Sequence, residues 1–458
     1  MTIGQVFTPL PLARRILERV AARPSRILDP ACGTGNFLKA AAERWPGADL
    51  VGFETDPATA AIARQWLTVA IGSQVAGSGS RIEVQDALKC DVVPDFDLVC
   101  GNPPYAAAFR DPGDRQAIRE GHVTARGSFD MAVPFVERAA RWLAPGGWLA
   151  MVVTNKLLVK DYAGPLRRWL LETLALREVW DLAAVEVFEG AQVEAAVILA
   201  QRAEPSSIRI VLADKRQGHL EYRIAPSAWT AAARSDPDSG LDRSERGTRR
   251  WEVYVTPAIS PLIERIRGPA IGQMPDLAVR DGILGRHYHE IPIEDGDPEG
   301  LPIVGVGRIE PGKIAWDKPL KRGGVLYQDP RLRVQGAFRA YCERPKILIR
   351  GIARRVVAVY SPLPAVPLTA VRSIVLDTTR TTSAGGRPRI DPRHLVSWLN
   401  SDLVSFLLQA RCRSDRIPRG SFNISKRWLE ELPVPPALPV LTPEEQDLVH
   451  DWLAAFGA

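Results

Sequence analysis

The residues able to do chemistry fall in a few short runs. One is Asp29-Pro30-Ala31-Cys32-Gly33-Thr34-Gly35-Asn36-Phe37-Leu38, which follows the apolar pair Ile27-Leu28. A strand entering a glycine turn and then a helix lets the backbone approach a ligand closely and presents free amides at the helix start. Asp29 at the strand end would repel a phosphate but suits a cation. A ligand carrying an ammonium and a sulfonium, such as S-adenosylmethionine, fits better than a dinucleotide. Val51-Gly52-Phe53-Glu54 ends a second apolar run, and an acidic residue about 20 positions past a glycine loop is placed to read ribose hydroxyls. Asp56, directly before Pro57, suits a helix cap better. Asp86, after a third run, could accept a hydrogen bond from an adenine amino group.

A fourth run ends in Cys100-Gly101-Asn102-Pro103-Pro104-Tyr105. Two prolines fix two backbone angles and remove two amide donors. The Asn102 carboxamide oxygen and the Pro103 carbonyl are left as rigid acceptors. Two acceptors aimed at one amine suit a planar amine conjugated to a ring. Holding both its protons draws the nitrogen towards sp3 and frees a lone pair to attack an electrophilic methyl in line. Tyr105 offers a face on which a base can stack.

In the order and content of these motifs the chain resembles the gamma-class N6-adenine DNA methyltransferases of the TaqI type. Gly4-Gln5-Val6-Phe7-Thr8-Pro9 resembles the family's N-terminal motif, so Val6 and Thr8 are expected at the methionine end of the cofactor. The run from Asp29 resembles its cofactor loop, which implies contacts from Asp29, Ala31, Gly33 and Gly35. Glu54 and Asp86 match the ribose and adenine contacts. Asn102 to Tyr105 match the catalytic NPPY motif, with Asn102 also beside the cofactor. Phe135 falls where the family often has an aromatic near the cofactor. Phe188, in Val187-Phe188-Glu189-Gly190, falls where the family has an aromatic that sandwiches the target base opposite the tyrosine. Ala87, after Asp86, departs from the pattern, since an aromatic often stands there. In the second half, Arg344-Pro345-Lys346-Ile347-Leu348-Ile349-Arg350-Gly351, Trp398-Leu399-Asn400-Ser401 and Ile424-Ser425-Lys426 resemble parts of a target-recognition domain.

Elements must hold these motifs in place. Short apolar runs alternate with amphipathic stretches in the first half, the pattern of an α/β domain with a largely parallel sheet. Strands are expected at Arg26–Leu28, Leu50–Phe53, Ile82–Val84, Phe96–Cys100, Trp148–Val153, Glu178–Trp180 and Ala195–Ala200. Helices are expected at Pro11–Ala21 and at Met131–Leu143, the latter stopped by Pro145-Gly146-Gly147. Residues 233–250 are almost devoid of apolar side chains and read as a linker. Beyond it, apolar runs at Ile347–Ile352, Val356–Tyr360 and Ser373–Leu376 precede helical patterns at His394–Gln409 and Pro443–Ala455. The expected fold is thus α/β: a Rossmann-like S-adenosylmethionine-dependent methyltransferase domain over residues 1–240, and an α+β target-recognition domain over 251–458.

The 458 residues are 46% hydrophobic and 24% charged, which is globular composition, and Lys plus Arg exceed Asp plus Glu by 59 to 53. No apolar stretch reaches membrane-spanning length, and no secretory leader is visible at the start, so a cytoplasmic location is expected. Five scattered cysteines without a CxxC pair, and His287 and His289 without a third ligand, give no metal site. Arg110, Arg115, Arg119 and Arg126 follow the NPPY motif in a polar loop. Arg350, Arg354, Arg411, Arg413, Arg416 and Arg419 crowd a few segments of the second half and are the candidate contacts to double-stranded DNA. The reading is methylation of a flipped-out adenine, with no nuclease signature in the chain and a separate restriction or defence partner possible. Its rivals are an RNA-adenine or protein-glutamine methyltransferase, cytosine N4 methylation, and a non-catalytic DNA-specificity subunit.

Overall fold

The computed structural model describes residues 7–91, 93–104, 112–182, 194–214, 218–230, 250–282, 292–322, 324–377, 390–412, 416–417 and 421–456. The chain divides into two compact units, Met1–Tyr254 and Val255–Ala458. The expected linker falls almost wholly outside the described residues.

The first unit is built on nine strands: β1 (Arg26–Asp29), β2 (Asp49–Glu54), β3 (Arg81–Val84), β4 (Phe96–Gly101), β5 (Leu143–Thr154), β6 (Ala175–Asp181), β7 (Ala195–Gln201), β8 (Ile208–Asp214) and β9 (Gly218–Ile224). They form one sheet in the order β3-β2-β1-β4-β5-β7-β6-β8-β9. The first five are parallel, and β7 runs antiparallel between β5 and β6. All seven expected strands are present. The hairpin β8–β9 was not read, because Ile208–Asp214 mixes charged with apolar residues and Gly218–Ile224 is largely exposed.

Helices flank the sheet. α1 (Leu10–Leu17) and α2 (Asn36–Arg44) pack against one another, and Ile16, Leu17, Phe37 and Leu38 join Ile27, Leu50, Leu98 and Val152 in one buried core. α3 (Pro57–Gly72) begins after Asp56, whose carboxylate accepts from the Thr59 amide at 2.9 Å, with proline at the first helical position. α4 (Pro112–Gly121) and α5 (Ala132–Arg141) follow β4. Past α5 the sequence expectation needs correction. The helix stops at Arg141, and Pro145-Gly146-Gly147 lies inside the span of β5. Phe96 pairs with Leu143 but Leu98 pairs with Trp148, so residues 144–147 form an excursion, which Gly146 turns at φ +80°.

The second unit is α+β. Its main sheet is antiparallel, in the order Leu277–Asp281, Val371–Leu376, Lys346–Arg350, Ala358–Ser361. The helix expected over His394–Gln409 is two helices, Pro392–Leu399 and Asp402–Cys412. Asn400 breaks it. Its Oδ1 accepts from the Ala358 amide (2.8 Å) and its Nδ2 donates to the Ala358 carbonyl (2.9 Å), so the side chain satisfies both main-chain groups of an edge strand.

Candidate active site

The strand order reverses between β1 and β4, and ligands of open α/β sheets bind outside the carboxyl ends of the strands at such a point. Asp29 ends β1 and Gly101 ends β4. Between them a cleft is lined by Phe7, Thr8, Asp29, Ala31, Cys32, Thr34, Asn36, Phe37 and Asn102.

The glycine turn is shaped by its backbone. Gly33 and Gly35 have φ of +53° and +87°, and a Cβ at Gly33 would lie 2.5 Å from the Phe7 ring. The Cys32 amide donates to the Phe53 carbonyl (2.9 Å), which ties the turn to the end of β2. Glu54 completes the tie. One carboxylate oxygen accepts from the Gly33 amide (3.1 Å) and the other from the Asp56 amide (2.9 Å). This fixes the carboxylate against the glycine turn and leaves its remaining lone pairs for a ligand.

Asp29 is buried and accepts from the Ala31 amide at 3.1 Å. Burial, reinforced by the nearby Glu54 charge, pushes its carboxyl up to about 8. A buried carboxyl held above its usual range is one that a cation would ionise. Burial and the charge of Asp29 likewise raise the Cys32 and Cys100 thiols, which therefore stay protonated and are poor nucleophiles. Asn36 Nδ2 donates to the Thr8 carbonyl (2.9 Å), holding the N-terminal segment on the start of α2. Thr8 Oγ1 is buried in the cleft without a hydrogen-bond partner among the described residues, and a buried hydroxyl of that kind calls for one. An acidic, glycine-floored cleft with an unsatisfied hydroxyl fits a cationic, hydroxyl-bearing sulfonium nucleoside.

The structure brings Thr8, Asp29, Ala31 and Asn102 into this cleft and links Gly33 to Glu54. Asn102 is half-buried, Pro103 buried and Pro104 exposed. Asp86 and Phe135 do not line the cleft. Asp86 accepts from the Leu88 amide (2.9 Å) and closes a turn after β3, and Phe135 is buried on α5. Val6, Tyr105 and Phe188 lie outside the described residues. Phe7, Thr34, Asn36 and Phe37 line the cleft although no role was read for them. Only adjacency to the glycines signalled them.

Gly101 was also missed. A Cβ there would stand 2.5 Å from Asp29 Oδ1 and 3.1 Å from its Cγ. Gly101→Ala must therefore displace the Asp29 carboxyl, whose Oδ1 stands only 2.5 Å from the added carbon. The expected cost is about 1–2 kcal/mol in cofactor affinity, roughly tenfold. Calorimetric titration with S-adenosylmethionine checks it, and an unchanged affinity would show that the two residues are not coupled.

In the second unit, three short strands bring distant segments together. Ile352–Ala353 pairs with Ser421–Asn423, which pairs with Arg416–Ile417. Gln409 donates to the Arg354 carbonyl (3.2 Å), so the segments of Arg354, Arg411 and Arg416 converge. Arg354 is exposed and Arg411 half-buried, while Arg350 spends Nε on the Ile309 carbonyl at 2.7 Å. Arg413 and Arg419 lie outside the described residues. Among the described residues no helix is long and apolar enough to cross a membrane.

A parallel sheet carrying one antiparallel strand between β5 and β6, with an acidic glycine-turn cleft at the switch point, defines the Rossmann-like class of S-adenosylmethionine-dependent methyltransferases. Residues 1–223 match the family model described as N-6 DNA Methylase. The chain is 26% identical to the type II methyltransferase M.TthHB8I of Thermus thermophilus over 94% of its own length and 91% of that protein's. It is 29% identical to the type II methyltransferase M.XamI of Xanthomonas campestris pv. amaranthicola over 45% of this chain and 41% of that one. The match to M.CvrRI of Paramecium bursaria Chlorella virus XZ-6E, at 26% identity, likewise spans only half of that relative. Among solved structures, the type IIL restriction-modification enzyme MmeI, determined in complex with DNA, shares the fold with a TM-score of 0.51 at 12% identity, over 96% of this chain and 71% of that one. Over residues 1–223, just under half of the chain, the protein is thus similar to the N-6 DNA methylases, and the relatives named above are type II methyltransferases.

Proposed function

We propose that the protein methylates N6 of one adenine within a short recognition sequence of double-stranded DNA, in the gamma-class manner, as the modification component of a restriction-modification or defence system. The observation that carries this reading is the meeting of Asp29 and Asn102 in one cleft at the switch point. S-adenosylmethionine supplies an electrophilic methyl when bound. Thr8, Asp29, Ala31 and the Gly33–Glu54 pair would hold it, with Val6 from the N-terminal motif, Gly35 at the helix start, and Asp86 and Phe135 further along the cofactor.

The remaining steps belong to the chain and the base. The target adenine leaves the duplex, because its amine is out of reach within the stack. Tyr105 and Phe188 stack the two faces of the base. Asn102 Oδ1 and the Pro103 carbonyl accept hydrogen bonds from the two N6 protons, Pro104 keeps the turn rigid, and one of the two protons is released to solvent once nitrogen has taken the methyl. No covalent link to the enzyme is needed.

The direct test is transfer of labelled methyl from S-adenosylmethionine to unmethylated plasmid DNA, with RNA and protein extracts as competitors. Label in DNA that RNA does not compete away supports the reading. Label only in RNA or protein would contradict it.

The same reading assigns Arg354, Arg411, Arg413, Arg416 and Arg419 to DNA, with Arg350 partly committed to its own fold. Replacing Arg411, Arg413 and Arg416 together by Gln should flatten the dependence of log affinity on log salt by about 0.9 per lost phosphate contact. An unchanged slope would mean that these side chains are ordinary solvated surface.

A further inference from the structure

The second unit carries a two-stranded ribbon, Leu320–Arg322 against Val325–Tyr327, that pairs with no third strand among the described residues. Its register sets Leu320 opposite Tyr327, Lys321 opposite Leu326, and Arg322 opposite Val325. Directly opposed residues share a face. Gly324, at φ +85°, serves the turn.

The two faces of this ribbon differ. Leu320 packs into a buried cluster with Ile303 and Val366. Lys321 is exposed beside Leu326, which is 57% exposed, and Val325 at the turn is 51% exposed. By the register Val325 lies on the Leu320 face and Leu326 on the other, so the turn end of the ribbon exposes an apolar side chain on each face, next to Lys321. The run from Lys318 to Gln328 reads KPLKRGGVLYQ and contains no acidic residue.

The ribbon is also held unusually firmly at its root. Arg308 is 2% exposed, and its guanidinium donates to three carbonyls: Lys318 (2.7 Å), Gln328 (3.0 Å) and Ile303 (3.2 Å). Lys318 and Gln328 are the residues at which the chain enters and leaves the ribbon. The Asp295 carboxylate takes the amides of Gln328 (3.0 Å) and Asp329 (2.5 Å). Burying a guanidinium is costly unless its donors are satisfied. Here they are satisfied by the two legs of the ribbon, so the arginine acts as a clamp that fixes its direction.

We propose that this ribbon is a DNA-contacting element of the second unit, with Lys321 on the phosphate backbone and Val325 and Leu326 entering a groove. A two-stranded ribbon fits the major groove, and apolar side chains at such tips contact thymine methyls or wedge against base steps. Lys321, exposed and opposite Leu326, supplies the charge that favours a polyanion here, while Lys318 is already paired with Glu310. The assignment rests on the proposed function above, and it names residues other than the arginines around 411–416.

The test uses the full-length protein and a duplex carrying the methylated site. Binding is titrated from low to physiological salt for the wild type, Lys321→Gln, and the pair Val325→Ser with Leu326→Ser. All these positions are exposed, so thermal melting and S-adenosylmethionine affinity should match the wild type. Lys321→Gln should lower the salt slope by about one. The apolar pair should weaken DNA binding at least about tenfold, the scale of a lost base-step contact, with little change in slope. Wild-type binding that these variants leave untouched would overturn the ribbon assignment alone. A wild-type dimer, seen by sedimentation, that the apolar pair dissolves would assign the ribbon to self-association instead. A wild type that binds no DNA would overturn both the assignment and the functional reading beneath it.

Discussion

Asn102→Ala should reduce methyl transfer by at least about a thousandfold while cofactor affinity changes only a few-fold, the size of effect seen when a positioned transition-state contact is removed. Asn102 follows β4 directly and is half-buried in the cleft that Asp29 bounds. Its proposed work is done mainly as the base nitrogen loses planarity, because its oxygen then accepts a hydrogen bond from an N–H that is becoming more acidic. That contact is a hydrogen bond from N6–H to Oδ1, which strengthens in the transition state, so its loss falls on kcat rather than on ground-state binding. The cofactor contacts lie mainly on β1, the glycine turn and β2, and survive the change. Single-turnover transfer together with calorimetry separates the two. Cofactor binding that collapses along with activity would show that Asn102 serves the cofactor rather than the amine.

Cofactor affinity should rise with pH towards about 8 and level off above it, because the Asp29 carboxyl is pushed up to that value. Below it the free protein carries Asp29 protonated, and a cationic ligand favours the carboxylate. Binding then releases a proton, and affinity gains up to about tenfold per pH unit. Stability runs the other way. The folded-state value is raised above the unfolded 3.8, so the contribution is fully present below about 4 and is lost as pH rises towards 8. Asp29→Asn should flatten both dependences. It should also weaken binding near pH 8 by about 2 kcal/mol, roughly thirtyfold, the range for a charge-assisted contact. Calorimetry in buffers of different ionisation enthalpy counts the released proton directly. A flat affinity profile in the wild type would remove Asp29 from the cationic end of the cofactor.

Much of the first unit was legible because its signals are local. The β1 run ends in an acid, two glycines follow, and a helix begins; Asn102 precedes two prolines. Each needs only neighbours in sequence. What escaped depends on residues far apart. The Asp29–Gly101 contact joins two strands, and nothing near Gly101 names its partner. Asn400 looked like part of one long helix because its pairing with Ala358 lies in another element. The turn at Pro145-Gly146-Gly147 reads as a stop, yet the strand continues through it, because β4 resumes pairing beyond the excursion. Nothing near Arg350 in sequence signals that its Nε is spent on the Ile309 carbonyl, and nothing near Arg308 signals its three carbonyl partners. Charge patterning locates cations but does not tell which of them the fold has already used.

The most direct test of the central claim is to map base modification across the genome of a methylation-deficient host expressing the protein, with the Asn102→Ala variant beside it. The account predicts N6-methyladenine at a single short motif, complete with the wild type and absent with the variant. Modification at cytosine, at no consistent motif, or equally with both proteins would contradict it.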